Sequence, residues 1–299
     1  MNERKKQVIL KAHQLFIDKG FHATSINDIL EYSGISKGTF YNYFSSKNEL
    51  LMELFKINYT QLEKKRNELL IGQDPSDINI FIKQIEMQIV MNRKNKLISL
   101  FEEIVASHDE ELKQFFNSGQ LRILKWIYNR FIDLFGDNKK PYLLDCAIMF
   151  TGILNKNLNY YSLAYEESSK VRIQDVIRYS LNRIIQIVRE VEITNESLFS
   201  PHLLEQWLPE SSMNRMDDQQ LLYRTILAMK KSVMTQKDKT HFIELLDFIY
   251  EELVVEDEPR FFLVSIALEK LKEESSTLNL KEIKQLEDII TIRIEKGKK

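Results

Sequence analysis

The sequence predicts an all-α chain, and three observations carry that prediction. Helix breakers are scarce, with 5 Pro and 8 Gly in 299 residues, whereas a chain of short strands and tight turns would need many more. Apolar residues recur at three- and four-residue spacing through most of the length, the period of a helix with one buried face. Capping residues, chiefly Ser, Thr and Asp, stand just ahead of several of these stripes. With 43% apolar residues the chain can bury a sizeable core, and its length allows two or three domains.

Taken in order, the segment from Arg4 to Lys19 places Val8, Ala12, Leu15 and Phe16 on one stripe and ends before Gly20, after which Phe21 can tuck back onto the core. Thr24 or Ser25 can cap a second helix with Ile26, Ile29 and Leu30 on its buried side, stopped by Gly34. Ser36 can cap a very short third helix from Lys37 to about Tyr43, and Ser45 or Ser46 a fourth that runs from Lys47 toward Leu70. The third helix follows the second after a turn of a few residues that begins with Gly, the arrangement by which one helix braces another against DNA.

Gly72-Gln73-Asp74-Pro75 is a clear break, and helices are expected beyond it near 76–92, 96–106, 109–135, 140–165 and 170–192. The last two are apolar over a wider arc than a surface helix needs, as helices serving both a core and a subunit interface would be, so a homodimer is expected. Residues 194–219, with Ser200-Pro201 and Leu208-Pro209, read as a connector. Three or four more helices fit 217–295, with stripes such as Phe242, Leu245, Leu246, Ile249 and Leu253. The expected domains are a DNA-binding head (1–50), a ligand-binding and dimerisation body (51–195) and a C-terminal helical extension (196–299).

Charge separates the two ends of the chain. The formal net charge is −2, but residues 1–65 carry a net +3 and the remainder a net −5, which suggests one end for phosphates and another for something else. The single Cys146 cannot form an intrachain disulfide, and no apolar leader follows the charged start, so the cytosol is the expected compartment. No run of eighteen residues is free of charge and strong polarity, and a membrane span is not expected.

Catalytic and metal chemistry find no support. His13, His22, His108, His202 and His241 are scattered without metal-ligand spacing, and no Ser-His-Asp or Cys-His arrangement can be inferred. Cys146, in an apolar helical context, reads as a buried small residue. The chain is therefore read as a binding protein without cofactor or metal, not an enzyme.

The informative stretch is Thr24 to Leu51. Ile26, Ile29, Leu30, Ile35, Phe40, Phe44, Leu50 and Leu51 look like core. Left over on the third helix are Lys37, Thr39, Tyr41, Asn42 and Tyr43, rich in groups that hydrogen-bond bases or phosphates. Phe40 and Phe44, four apart on one face, are best explained by packing, whereas Tyr41 and Tyr43 cannot both share that face. Gly38, lacking a side chain, lets the backbone approach a groove or a neighbouring helix closely. Lys47 lies in a helix's first turn, where a cation is unfavourable unless an anion is near, so a phosphate role is favoured there. For Lys37 a solvated surface role serves equally well.

These residues resemble the helix-turn-helix of the TetR family of transcriptional regulators. The shared pattern is Thr24 opening the second helix, Ser33-Gly34-Ile35-Ser36 in the turn, Gly38, Tyr41-Asn42-Tyr43-Phe44 ending the third helix, then Lys47 and Leu50 on the fourth. Ser33 and Leu30 stand where the family commonly has Ala. The resemblance implies that Thr24, Thr39, Tyr41, Tyr43 and Lys47 contact the DNA backbone of double-stranded DNA, and that Lys37, Thr39 and Asn42 are nearest to base edges. It further implies a dimeric repressor released from a palindromic operator by a small-molecule effector. The effector's identity does not carry over, because the family's body varies in sequence.

Two further classes remain. A DNA-organising structural protein would want a more basic head, since sequence-independent affinity is largely phosphate neutralisation. A regulator whose C-terminal extension recruits a protein partner is compatible with repression. Body aromatics such as Phe101, Phe115, Phe116, Trp126, Tyr128, Phe131, Phe150, Tyr160, Tyr161 and Tyr165 serve equally as core or as the wall of an effector pocket. The basic run Lys230, Lys231, Lys237 and Lys239, interrupted by Asp238, reads as a solvated helix end.

Overall fold

The structure, a computed structural model, describes residues 3–70, 73–105, 109–165, 173–208, 210–233, 239–254, 259–273 and 280–297. Every regular element among them is helical. The order is α1 (Glu3–Lys19), α2 (Ile26–Ser33), α3 (Lys37–Tyr43), α4 (Lys47–Glu68), α5 (Ile78–Lys94), α6 (Leu97–Val105) and α7 (Glu110–Phe135). A single 3-10 turn at Asp137–Lys139 follows, then α8 (Leu143–Ala164), α9 (Ile173–Thr194), α10 (Leu203–Trp207), α11 (Glu210–Val233), α12 (Lys239–Val254), α13 (Phe261–Glu273) and α14 (Leu280–Gly297). Gly72, His108, Pro209, Lys237, Asp238 and the first residues of the helix expected at 170–192 lie outside the described residues.

The expected connector at 194–219 is shorter than its composition suggests. It contains the short α10, and α11 already begins at Glu210. Ser, Pro and Glu favour loops, but they are equally at home in a helix's first turn, where backbone N–H groups have no intrahelical partner.

The contacts divide the chain into two units. One comprises residues 1–15, 24–72 and 211–299, and the other residues 16–23 and 73–210. In the first, Val8, Ala12 and Leu15 of α1 are buried as their spacing predicts. So are Ile29, Phe40, Phe44, Leu50 and Leu51, while Ile26, Leu30 and Ile35 are only half-buried. A three-helix head leaves little interior, so its rim positions stay partly wet.

The C-terminal helices of that unit enclose an apolar core of their own. Leu222, Ile226 and Met229 of α11 pack with Leu246 and Ile249 of α12, and Val264, Leu271, Leu286 and Ile290 complete it from α13 and α14. Lys230 is not a solvated helix end: it is 5% exposed, and its ammonium donates to Asp247 at 2.6 Å. A lysine so deeply placed needs an anion partner, and α12 supplies one.

In the second unit Phe81, Trp126, Phe131 and Phe150 pack ring on ring, with centroids 5.6–5.9 Å apart. Phe116 and Tyr128 are also buried, whereas Tyr160 and Tyr165 are exposed. Arg130 is buried and donates to Gln84 (3.0 Å), Asp133 (2.6 Å) and the Pro75 carbonyl (2.8 Å), which satisfies a group otherwise costly to bury. Cys146 is buried, and burial, reinforced by the charge of Asp145, pushes its thiol up to about 11. It therefore stays a protonated packing residue at neutral pH.

The stretch Phe16–Ala23 groups with this second unit. Phe21 tucks back as expected, its ring edge-on to Phe16 at 5.2 Å, and Glu103 of α6 accepts from the amides of Phe21 (3.0 Å) and His22 (2.8 Å). Gly20 adopts φ +87, a conformation that favours glycine, and a Cβ there would also crowd the Glu103 carboxylate at 3.3 Å. No helix among the described residues is long and apolar enough to cross a membrane.

Candidate DNA-reading surface

The head is assembled by a succession of caps. Ser25, not Thr24, caps α2: its hydroxyl accepts from the Asp28 amide at 3.1 Å, while the Asp28 carboxylate accepts from the Ser25 amide at 2.8 Å. Gly34 ends α2 in the left-handed region (φ 69), its amide bonded to the Leu30 carbonyl at 2.9 Å. Two residues later Ser36 caps α3, accepting from the Thr39 amide at 3.1 Å and bonding to the Thr39 hydroxyl at 2.9 Å. Ser46 caps α4 through the Glu49 amide at 3.0 Å, and the Glu49 carboxylate accepts from the Ser45 amide. Hydrogen bonding from the Ser45 side chain, and after it from this amide, holds the Glu49 carboxyl below the usual carboxylate range.

These caps fix which face of α3 is free. Phe40 and Phe44 are buried, and Lys37, Gly38, Tyr41 and Asn42 are exposed, with Thr39 and Tyr43 half-buried. The exposed set offers an ammonium, a carboxamide and a phenol, the donors and acceptors that base edges and phosphates require. Gly38 is informative by what surrounds it. A Cβ there would meet only the Ser36 hydroxyl oxygen, at an ordinary 3.8 Å. No neighbouring helix among the described residues demands a glycine there, so close approach by another helix is not its reason.

Two expected contact residues are placed differently from the simple reading. The Thr24 side chain is 0% exposed, and its hydroxyl points to the Leu15 carbonyl at 3.4 Å. It stitches α2 to α1 from inside, and the hydroxyl left at the surface is that of its neighbour Ser25. Asp28 three residues after Ser25 is the capping-box signal that distinguishes the two. Lys47 is half-buried, and its ammonium donates to the Thr24 carbonyl at 2.8 Å, tying the start of α4 to the start of α2. An ammonium has three N–H groups, so this bond orients Lys47 without exhausting it.

Lys5 was not singled out by the sequence. It stands 5.3 Å over the Phe44 ring and 3.8 Å from Glu53, adding a cation at the edge of the head. Among the described residues no group of three His, Cys, Asp or Glu could hold a metal ion.

Two short helices joined by a glycine turn, the second presenting a polar face, at the start of an all-helical chain define a DNA-binding transcriptional regulator of the helix-turn-helix class. The chain matches, over residues 8–54, the family model for bacterial regulatory proteins of the tetR family. It is 27% identical over 301 residues to an uncharacterised HTH-type transcriptional regulator, YerO, of Bacillus subtilis, covering 97% of this chain and 96% of that protein. The likeness thus extends through the C-terminal helices. It is also 25% identical over 202 residues to YuxN, another uncharacterised HTH-type regulator of Bacillus subtilis, covering 67% of this chain and 68% of that one. A shorter match, 36% over 55 residues, joins its head to the HTH-type transcriptional activator FasR of Mycolicibacterium smegmatis, covering 18% of this chain and 25% of FasR. No solved structure matches the chain.

Proposed function

We propose that the chain is a homodimeric repressor that places α3 in successive major grooves of a palindromic operator and leaves it when a small-molecule effector binds in residues 51–195. The observation that carries the dimer is a stripe of uncovered residues on α8. Met149, Gly152, Tyr160 and Leu163 lie on one face by helical spacing, and Tyr160 and Leu163 are 67% and 66% exposed. Tyr179 of α9 is 58% exposed as well. Large apolar side chains in such a stripe favour a self-complementary interface, and an operator with two-fold symmetry calls for a two-fold protein.

At the DNA, Lys37, Thr39 and Asn42 would face base edges, with Tyr41, Tyr43, Lys47 and the Ser25 cap on phosphates. The empty space around Gly38 supports this assignment, since a groove wall is what remains to need it. Repression is the economical reading, because a dimer seated on a promoter excludes polymerase without any further contact. FasR is an activator, but its likeness is confined to the head, which binds DNA in either case.

Sedimentation velocity with a duplex selected from a random pool tests the proposal. Two chains per duplex, with protection over two half-sites about one helical turn apart or a small multiple of it, is the expected result; one chain per duplex at every concentration would overturn it. A second reading, recruitment of a protein partner by the extension, is favoured by α13, where Phe262 is 77% exposed and Ile266 lies uncovered one turn on.

A further inference from the structure

The far half of α4 is covered by the C-terminal helices, and the seam between them is polar. Lys64 of α4 pairs with Glu251 of α12, and the Tyr223 hydroxyl of α11 donates to the carbonyl of Asn67. Tyr250 packs edge-on to Tyr223 at 6.0 Å, close enough to the buried Arg66 for the two to interact electrostatically. Burial alone would depress the Lys64 ammonium, but the hydrogen bond and charge of Glu251, with Asp247 and Glu68 behind it, raise it above its ordinary range. The seam also borders a partly open, water-sized cavity of about 20 Å³ lined by Lys64, Asn67, Tyr223 and Tyr250 among others.

We propose that α11 and α12 form a releasable brace on the far half of α4, so that undocking them lowers the head's affinity for DNA without unfolding the head. Two features make the contact releasable. The C-terminal helices keep their own apolar core, built on Leu246, Ile249, Val264 and Leu286, so they need not unfold on leaving α4, and the Lys64–Glu251 pair and the Tyr223 hydroxyl bond that tie them to it can pass to water. The Lys64 and Glu251 side chains are 32% and 50% exposed, and pairs so open to solvent hold weakly. The consequence reaches DNA because α4 is continuous from this seam to Lys47 beside α2 and α3. A carrier helix held at both ends presents α3 in one pose, and losing that preorganisation reduces affinity.

This inference rests on the head being a DNA binder, and the experiment separates the two. The full chain is compared with E251K, K64E and the exchanged pair K64E/E251K, using as probe a duplex selected from a random pool by the unaltered chain. Hydrogen exchange at residues 60–68 reads docking, exchange at residues 26–43 reads the integrity of the head, and titration reads affinity. Each single reversal sets like charges face to face, and the two alter net charge in opposite directions, so a loss common to both cannot come from attraction to phosphate. Both singles should speed exchange at 60–68, leave 26–43 protected and weaken binding about fivefold or more, and the exchanged pair should restore all three readings. The proposal is overturned if affinity is unchanged in the singles, if 26–43 loses protection with 60–68, or if the exchanged pair restores nothing. If the unaltered chain selects no duplex, DNA binding itself fails and the brace with it.

Discussion

The two ends of α4 are held by different materials. At the head end Leu50, Leu51, Leu54 and Phe55 are buried, and Lys47 adds one bond to the Thr24 carbonyl. At the far end Leu62 is joined by buried Arg66 and Asn67, by the Lys64–Glu251 pair and by the Tyr223 hydroxyl. Apolar burial is lost wholesale when a surface is uncovered, whereas each hydrogen bond broken at a polar seam is largely replaced by one to water. One helix thus carries a permanent joint and a detachable one, and the chemistry of the buried side chains says which is which.

The largest expected effect tests that difference directly. Leu51→Ala at the head end should cost about 2–5 kcal/mol, the range for truncating a buried leucine, and abolish duplex binding at ordinary temperature. Tyr223→Phe at the far end, which removes one hydroxyl, should cost no more than about 1.5 kcal/mol. Denaturant unfolding followed by circular dichroism measures both. Equal losses would mean that the far end is core as well, and the contrast would collapse.

A second test asks whether the C-terminal helices hold themselves together, as a detachable joint requires. The Glu252 carboxylate is buried and accepts from the Arg260 amide (2.9 Å) and Nε (3.0 Å). The hydrogen bond from Arg260 holds its carboxyl below the ordinary range. A group whose folded pKa is depressed stabilises the fold above its unfolded value, and that contribution is lost as pH falls through the folded value. Glu252→Gln should therefore cost about 1–3 kcal/mol at neutral pH, and the gap to the unaltered chain should shrink as the carboxylate protonates. Hydrogen exchange at residues 239–273 at pH 7 and, after correction for intrinsic rates, near pH 4 reads it. A gap that does not shrink would show that the carboxylate's charge is not what joins α12 to α13.

Lys47 and Lys64 sharpen the comparison further, being two lysines of one helix that each spend a bond inside the protein. Lys47→Ala should lower the salt dependence of duplex binding by about one phosphate contact, whereas Lys64→Ala should leave that slope unchanged. Titrations at several salt concentrations decide it. An unchanged slope for Lys47→Ala would make the lysine a tie between α4 and α2 and nothing more.

The head was more legible than the extension for a physical reason. Caps, glycine stops and the four-residue spacing of Phe40 and Phe44 are local, so the sequence places α2 and α3 at the residues where they occur. In the head the sequence left the α2 cap open between two neighbours, Thr24 and Ser25, and Asp28 is the sign that decides for Ser25. In the extension the deciding facts are non-local. Nothing around Lys230 in the sequence announces Asp247, and nothing in α4 announces that Glu251 will meet Lys64, because these pairs are set by how separate helices dock. The start of α11 was hidden for a third reason, since residues that favour loops also favour a helix's first turn.

The smallest effect divides stability from binding at one residue, and so tests what the free face of α3 is for. Gly38 sits in the first turn of α3 with ordinary helical freedom to accept a side chain, and a Cβ there would touch only the Ser36 hydroxyl oxygen at 3.8 Å. Gly38→Ala should therefore stabilise the head by up to about 1 kcal/mol, because alanine favours a helix and loses less backbone entropy on folding. The same methyl group projects where a groove wall must pass if α3 reads DNA, so duplex binding should weaken severalfold while the melting temperature rises. A structural role for the glycine predicts the two quantities to fall together, and a face that never meets DNA predicts that only stability changes. Opposite signs in melting and titration are the outcome expected of a residue kept small for the DNA and not for the fold.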